Sequence, residues 1–200
     1  MFEADELQLP SVFANPNTDG LTRLFFDIEG SLGVYGDVLQ LSYILTDWSF
    51  NIIEIYSKYF RNFVPISQEE ANVHKLTEDF LWTHADHHFS LEIPNLDVFR
   101  KENIMFVSFS DFDTRKLVSQ CTRYEIPPFE FGARANSLKT LPKKRNWFDA
   151  QSINGGSLYR STNSDQREEA ATATGFHAHN ALYDTHLTYI LCRDYFLKMP

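Results

Sequence analysis

Leu21-Thr22-Arg23-Leu24-Phe25-Phe26-Asp27-Ile28-Glu29 is a largely apolar run closed by two acids. It reads as a central strand. Side chains alternate across a strand, so Asp27 and Glu29 share one face with Phe25, while Leu24, Phe26 and Ile28 take the other. A strand that is apolar on both sides lies inside a sheet. Two carboxyl groups therefore sit at the end of a buried element.

Outward from this run, Asp37–Thr46 and Ile52–Phe60 are rich in Leu, Ile and Tyr and are joined by a short turn near Asp47–Asn51, which predicts a hairpin beside the first strand. Ser67-Gln68-Glu69-Glu70 is a capping box that opens a short helix. Thr77 caps a second helix running through Trp82. Asn103–Phe109 reads as a fourth strand, Asp111–Tyr124 has helical spacing, and Arg145–Asp149 reads as a fifth strand. Gln151–Gly175 is polar and contains Gly155-Gly156, which suggests a mobile segment, either a lid or an ordinary variable loop. Asn180–Leu197 is the last helix. Residues 1–20, with Pro10, Pro16 and Gly20, form a polar lead-in, and residues 21–200 form one domain. Strands followed by alternating helix and strand indicate an α/β protein with one mixed sheet and helices on its faces.

Two further acids occupy apolar stripes. Leu117, Cys121 and Tyr124 follow Asp113 at helical spacing, and Leu187 and Leu191 follow Asp184 in the same way, so both acids face inward. No matching set of inward-facing Lys or Arg is evident. Buried carboxylates without partners either raise their pKa values or bind cations. An all-oxygen donor set suits Mg²⁺ or Mn²⁺, and two such ions about 3.5–4 Å apart serve phosphodiester cleavage. Each feature alone is weak, because an acid at a strand end is often solvated and an Asp in a first helical turn is often a cap. The ordered combination is what points to a metal site.

The composition sets bounds. Of 200 residues, 43% are hydrophobic and 18 are Phe, which suits a packed core and argues against disorder. No apolar run reaches the roughly 20 residues of a spanning helix, and the acidic N-terminus lacks the layout of a signal peptide. Cys121 and Cys192 read as reduced core thiols, which fits a cytoplasmic protein. The net charge of −9 counts against a protein that grips duplex DNA along its length. It leaves room for a small site that takes a strand end.

Phe26-Asp27-Ile28-Glu29, Phe112-Asp113 and His179-Asn180-Ala181-Leu182-Tyr183-Asp184 together resemble the three motifs of the DEDDh 3′→5′ exonucleases. That family includes the proofreading epsilon subunit of bacterial replicative polymerase, ribonuclease T and oligoribonuclease. Val73-His74-Lys75-Leu76-Thr77 and Trp147-Phe148-Asp149 are similar to two further family stretches. Two departures stand out. Gly30-Ser31-Leu32-Gly33 replaces the usual Thr-Thr-Gly, and Ser108-Phe109 replaces His-Asn. Asp111 and His177 compete with Asp113 and His179, which are preferred for their register.

The resemblance implies a ribonuclease H-like fold, a five-stranded mixed sheet with helices on both faces. It implies stepwise release of nucleoside monophosphates from single-stranded DNA or RNA 3′ ends with two Mg²⁺ or Mn²⁺. Asp27, Glu29 and Asp184 would share one metal, Asp27 would also reach the second, and Asp113 would act through water. His179 would take a proton from the attacking water. Ser31, Phe112 and the basic stretch of Arg134, Lys139, Lys143, Lys144 and Arg145 are candidate substrate contacts. His84, His87 and His88 read as a surface helix end and not as a metal cluster. The alternatives are a proofreading or accessory subunit docked on a polymerase and a non-catalytic nucleic-acid-binding protein of the same fold. The sequence is compatible with a monomer, a homodimer or a polymerase-bound subunit.

Overall fold

The computed structural model describes residues 22–31, 35–102, 104–135 and 146–198. The lead-in over 1–20 lies outside them, as do Lys139, Lys143, Lys144 and Arg145. Three strands open the fold: β1 (Thr22–Gly30), β2 (Val38–Asp47) and β3 (Ile52–Tyr59). Asp47 closes the β2–β3 turn, its carboxylate accepting from the backbone N–H groups of Ser49 and Asn51 at 2.8 and 2.9 Å. Helices α1 (Gln68–His74), α2 (Glu78–His84) and α3 (Phe89–Glu92) follow. Ser67 and Glu70 form the expected capping box on α1, and Thr77 caps α2.

The chain returns to the sheet through β4 (Ile104–Ser108) and then folds into α4 (Asp111–Arg123). Next come β5 (Ala133–Arg134), β6 (Asn146–Asp149), α5 (Leu158–Ser161), α6 (Ser164–Thr174) and α7 (Ala181–Lys198). The sheet order is β3-β2-β1-β4-β6-β5. The hairpin pairs are antiparallel, and the β1–β4, β4–β6 and β5–β6 pairs are parallel. All five expected strands are present, and the two-residue β5 extends the outer edge as a sixth.

The alternation read in β1 separates two cores. Leu24, Phe26 and Ile28 pack with Leu117 and Cys121 of α4 on one face. Phe25 packs with Leu187, Ile190 and Leu191 of α7 on the other. Both cysteines are buried and unpaired. No helix among the described residues is long and apolar enough to cross a membrane.

Three expectations change. Gln151–Gly175 is not an irregular segment but a helical pair packed on α7. Asn163 and Gln166 form a capping box on α6, Ala170 is buried in the core, and Gln166 donates to Asp194 of α7 at 2.9 Å. The Ser, Thr and Asn residues that suggested mobility serve in part as helix caps, a role for which polar residues are favoured. Second, His88 is buried, stacked on Phe63 with its Nε2 3.4 Å from Asp37, while His87 pairs with Glu92 at 2.8 Å. His88 thus ties the start of α3 to the segments flanking β2 and β3, while His87 pairs within the α3 region.

Third, inward cations exist. Arg23 is fully buried, its guanidinium 3.7 Å from the Trp48 ring centroid and donating to the Trp48 carbonyl at 2.7 Å. It lies at the far end of β1 from Asp27, roughly 13 Å along the strand. Lys116 is fully buried on α4, one turn beyond Asp113, and its ammonium donates to the Ser31 carbonyl at 2.9 Å. Gln120 and Arg123 extend the row by donating to the Gly36 and Tyr35 carbonyls. Successive turns of α4 thus hold the chain after β1. The pairing register shifts between Glu29 and Gly30, a bulge that bends the strand just past its acids.

Gly30 is required at that bulge. A Cβ there would lie 2.6 Å from the Asp37 carbonyl oxygen and would collide with Lys116 Cε. Gly30→Ala is expected to destabilise the fold by roughly 1–3 kcal/mol, the usual cost of overpacking. Chemical denaturation of the two proteins measures this directly.

Candidate active site

The carboxyl ends of parallel β1 and β4 and the amino ends of α4 and α7 meet at one edge of the sheet. In open α/β sheets ligands bind at that edge. A cleft of about 250 Å³ there is lined by Asp27, Glu29, Asp113, His179 and Asp184, with Phe109, Phe112 and Leu158 at its sides. Five residues spread over three segments of sequence are brought together. Asp113 is 4% and Asp184 9% exposed, so both are essentially inside the protein. Asp111, the competitor of Asp113, points outward and pairs with Arg115 at 3.0 Å. His177 is exposed and does not line the cleft.

His179 sits in the turn before α7 with φ of 61°, a left-handed conformation uncommon outside glycine. This turn aims its backbone N–H at Asp184 Oδ2, 3.1 Å away. The other oxygen, Asp184 Oδ1, is buried and has no hydrogen-bond partner among the described residues. Donor atoms of Glu29, His179 and Asp184 all lie within 4.8 Å of one another.

The electrostatics are those of an over-filled acid cluster. Burial, reinforced by Asp113, Asp184 and Glu29, pushes the Asp27 carboxyl well above the ordinary range. Burial, then Asp184 and Asp113, raise Glu29 to about 8. Asp113 is raised to about 7 by burial, against opposing backbone hydrogen bonds, and Asp184 to about 7 by burial against the His179 N–H. The buried Lys116 is lowered to about 8 by desolvation, with Asp37, Glu70 and, last, Asp113 opposing the drop.

Four acids that resist ionisation, one orphaned carboxylate oxygen and an adjacent imidazole fit a divalent cation. The donor set is hard oxygen with one nitrogen, which suits Mg²⁺ or Mn²⁺. A cation would remove both the mutual repulsion and the unmet demand of Asp184 Oδ1.

The predicted substrate contacts divide. Phe112 lines the cleft. Ser31 does not: it is fully buried, and its hydroxyl accepts from the Asp37 N–H at 3.2 Å. Arg134 is exposed on the outer strand, pairs with Asp149 at 2.5 Å and lies over Trp147. Other residues were missed in the sequence. Leu158 reaches the cleft from α5, and Tyr159 stacks 6.4 Å from the His179 ring. His74 is 5% exposed, and its Nδ1 accepts from the Leu76 N–H, so Nε2 carries the proton and has no acceptor among the described residues. Only the Val73–Thr77 stretch hinted at His74, and nothing marked Leu158.

The sheet order, the crossing helices and this edge site define a ribonuclease H-like α/β fold. Solved structures of exonucleases share it. E. coli exonuclease I bound to a dA16 oligonucleotide superimposes with a TM-score of 0.63 at 17% identity, over 84% of this chain and 39% of that one. Exonuclease I from Methylocaldum szegediense gives 0.65 at 17% identity, over 90% and 41%. Exonuclease X bound to 5′-overhanging duplex DNA gives 0.53 at 17% identity, over 88% and 91%. The chain thus spans about two-fifths of the exonuclease I chains and most of its own length is matched. No protein-family model matches the sequence, and no curated protein matches it.

Proposed function

We propose that this chain is a divalent-metal-dependent 3′→5′ exonuclease that releases nucleoside monophosphates from single-stranded DNA or RNA ends. The observation that carries the reading is one small cleft holding four acids of raised pKa beside a single imidazole. Such a set has little purpose as packing, since buried like charges destabilise a fold. The exonuclease I neighbours captured with single-stranded DNA, one of them in a zinc-bound form, support the same chemistry.

Asp27, Glu29, Asp113 and Asp184 would hold Mg²⁺ or Mn²⁺. Bound metal ions supply an activated water and charge stabilisation at the leaving oxygen. His179, exposed at the rim, accepts a proton from the attacking water on an imidazole nitrogen. Its left-handed turn keeps the ring next to the acids without burying it. Phe109 and Phe112 offer aromatic faces for the terminal base, a contact worth about 1–3 kcal/mol and tolerant of sequence.

The test is incubation of 3′- and 5′-labelled single-stranded DNA and RNA with Mg²⁺, Mn²⁺ or EDTA, beside Asp184→Ala. Stepwise shortening from the 3′ side, only with metal and only with Asp184 intact, is the expected result. Binding without cleavage under every metal condition would replace this reading with the non-catalytic one.

A further inference from the structure

Gln40 reaches the catalytic edge without touching the cleft. It lies on β2, opposite Glu29 in the β1–β2 register, and is fully buried. A buried glutamine needs its amide satisfied. Its Oε1 accepts from the Ala181 N–H at 3.1 Å, at the first residue of α7. That N–H is one of the helix-opening donors with no partner within the helix. Its Nε2 donates to Asn180 Oδ1 at 3.4 Å and to Ser57 Oγ at 3.2 Å. Asn180 Oδ1 also accepts from the Leu182 N–H at 3.1 Å, and Asn180 Nδ2 donates to the Tyr59 hydroxyl at 3.2 Å.

The two amides are therefore oriented by chemistry. Backbone N–H groups only donate, so Gln40 Oε1 must face Ala181 and Asn180 Oδ1 must face Leu182. What remains is Gln40 Nε2 against Asn180 Oδ1, a donor meeting an acceptor. Immediately before this clamp stands His179, in its left-handed turn with its N–H on Asp184. One side of the imidazole-bearing turn is held by Asp184 and the other by Gln40 and Asn180.

We propose that Gln40 is a positioning residue for the His179–Asp184 turn, acting through Asn180 and the first N–H of α7; this rests on the exonuclease reading above. Removing the clamp leaves the Ala181 N–H buried without an acceptor and frees the turn to rotate. The imidazole then spends less time where it can accept the proton. Substrate binding, which uses other surfaces, is unaffected.

Gln40→Met keeps the volume and removes both polar atoms. Gln40→Glu keeps the acceptor for Ala181 but sets an oxygen against Asn180 Oδ1. With a labelled single strand and Mn²⁺, Gln40→Met is expected to lower kcat about 10–100-fold with KM within about threefold, part of the 10²–10⁴-fold that a positioned proton acceptor contributes. Gln40→Glu falls between. In a His179→Ala background Gln40→Met is expected to cost under about threefold, because the group it positions is gone. Equal losses in both backgrounds, or a wild-type kcat in Gln40→Met, would overturn the proposal. If Gln40→Met fails to fold, Gln40→Glu carries the same cycle. Amide exchange in metal-free protein reads the clamp apart from activity: the Ala181 amide is protected in the wild type and exposed in Gln40→Met. Unchanged protection also overturns the proposal. Wild-type protein that cleaves nothing under any metal condition, with Ala181 still losing protection in Gln40→Met, sinks the exonuclease reading while leaving the clamp standing.

Discussion

On the proposed exonuclease reading, Asp27→Asn is expected to cut cleavage sharply and, in the same molecule, to raise the thermal midpoint of the metal-free protein. These opposite signs follow from one cause. The Asp27 carboxyl is driven well above its ordinary range, by burial first and then by Asp113, Asp184 and Glu29. Asparagine keeps its shape and removes its charge, so the remaining acids lose their worst neighbour. For a chain of this size each kcal/mol gained appears as about 2–4 °C in the midpoint. Activity is expected to fall by about 10²–10³-fold, the scale of losing one electrostatic stabiliser of a transition state. The stabilisation by Mn²⁺ shrinks too, from the roughly 2.7 kcal/mol expected of a ligand at a hundred times its Kd. Calorimetry in EDTA and in Mn²⁺, beside the end-label assay, reads all three. A variant that loses activity and stability together would mean that Asp27 is a structural residue and that the acid cluster is not strained.

The metal-free protein is expected to lose stability as pH rises from about 5 to about 8, and added Mn²⁺ is expected to reverse the trend. Unfolded Asp and Glu titrate near about 4, whereas in the fold Glu29 is raised to about 8 and Asp113 and Asp184 to about 7, with Asp27 raised as well. Between these limits the folded state binds more protons than the unfolded one, so the slope of stability with pH is negative. Each proton of difference contributes at most about 1.4 kcal/mol per pH unit. The contribution is fully present below the unfolded pKa and is lost as pH passes the folded values. Asp37 works in the other window. Held down to about 2, it contributes stability above the unfolded pKa that is lost in acid. A cation displaces the protons of the cluster, so stabilisation by Mn²⁺ grows with pH. Denaturation midpoints across this range, in EDTA and in Mn²⁺, check both curves. A flat or rising EDTA curve would show that the acids are ionised and accommodated without metal.

Much of this architecture is legible because local patterns carry it. The two-residue alternation in β1 predicts both cores, and the structure places Leu24 and Phe26 in one and Phe25 in the other. The apolar stripe of α4 puts Asp113 beside Leu117 and Cys121, which are buried with it. The capping residues Ser67 and Thr77 mark helix starts because their side chains act within their own turn. The same locality misleads over Gln151–Gly175, where polar caps suggest mobility and the contacts that fasten α6 lie on α7.

The sequence by itself determined the inward face of the apolar residues and of the acids along β1, α4 and α7, because those periods are properties of the backbone, while the buried Arg23, Lys116 and His88 went unread. The acids at the end of β1, on α4 and on α7 were found in that way. Only the tertiary structure decided which residues meet across segments. Lys116 reaches Ser31, Gln40 reaches Ala181 and Asn180, and Leu158 reaches the cleft through contacts between residues far apart in sequence. Such contacts depend on how the sheet and helices stack, and no spacing along one element encodes them. The pKa shifts of the acid cluster belong to the same class, since burial and mutual repulsion arise only once the four carboxyls share one edge of the sheet.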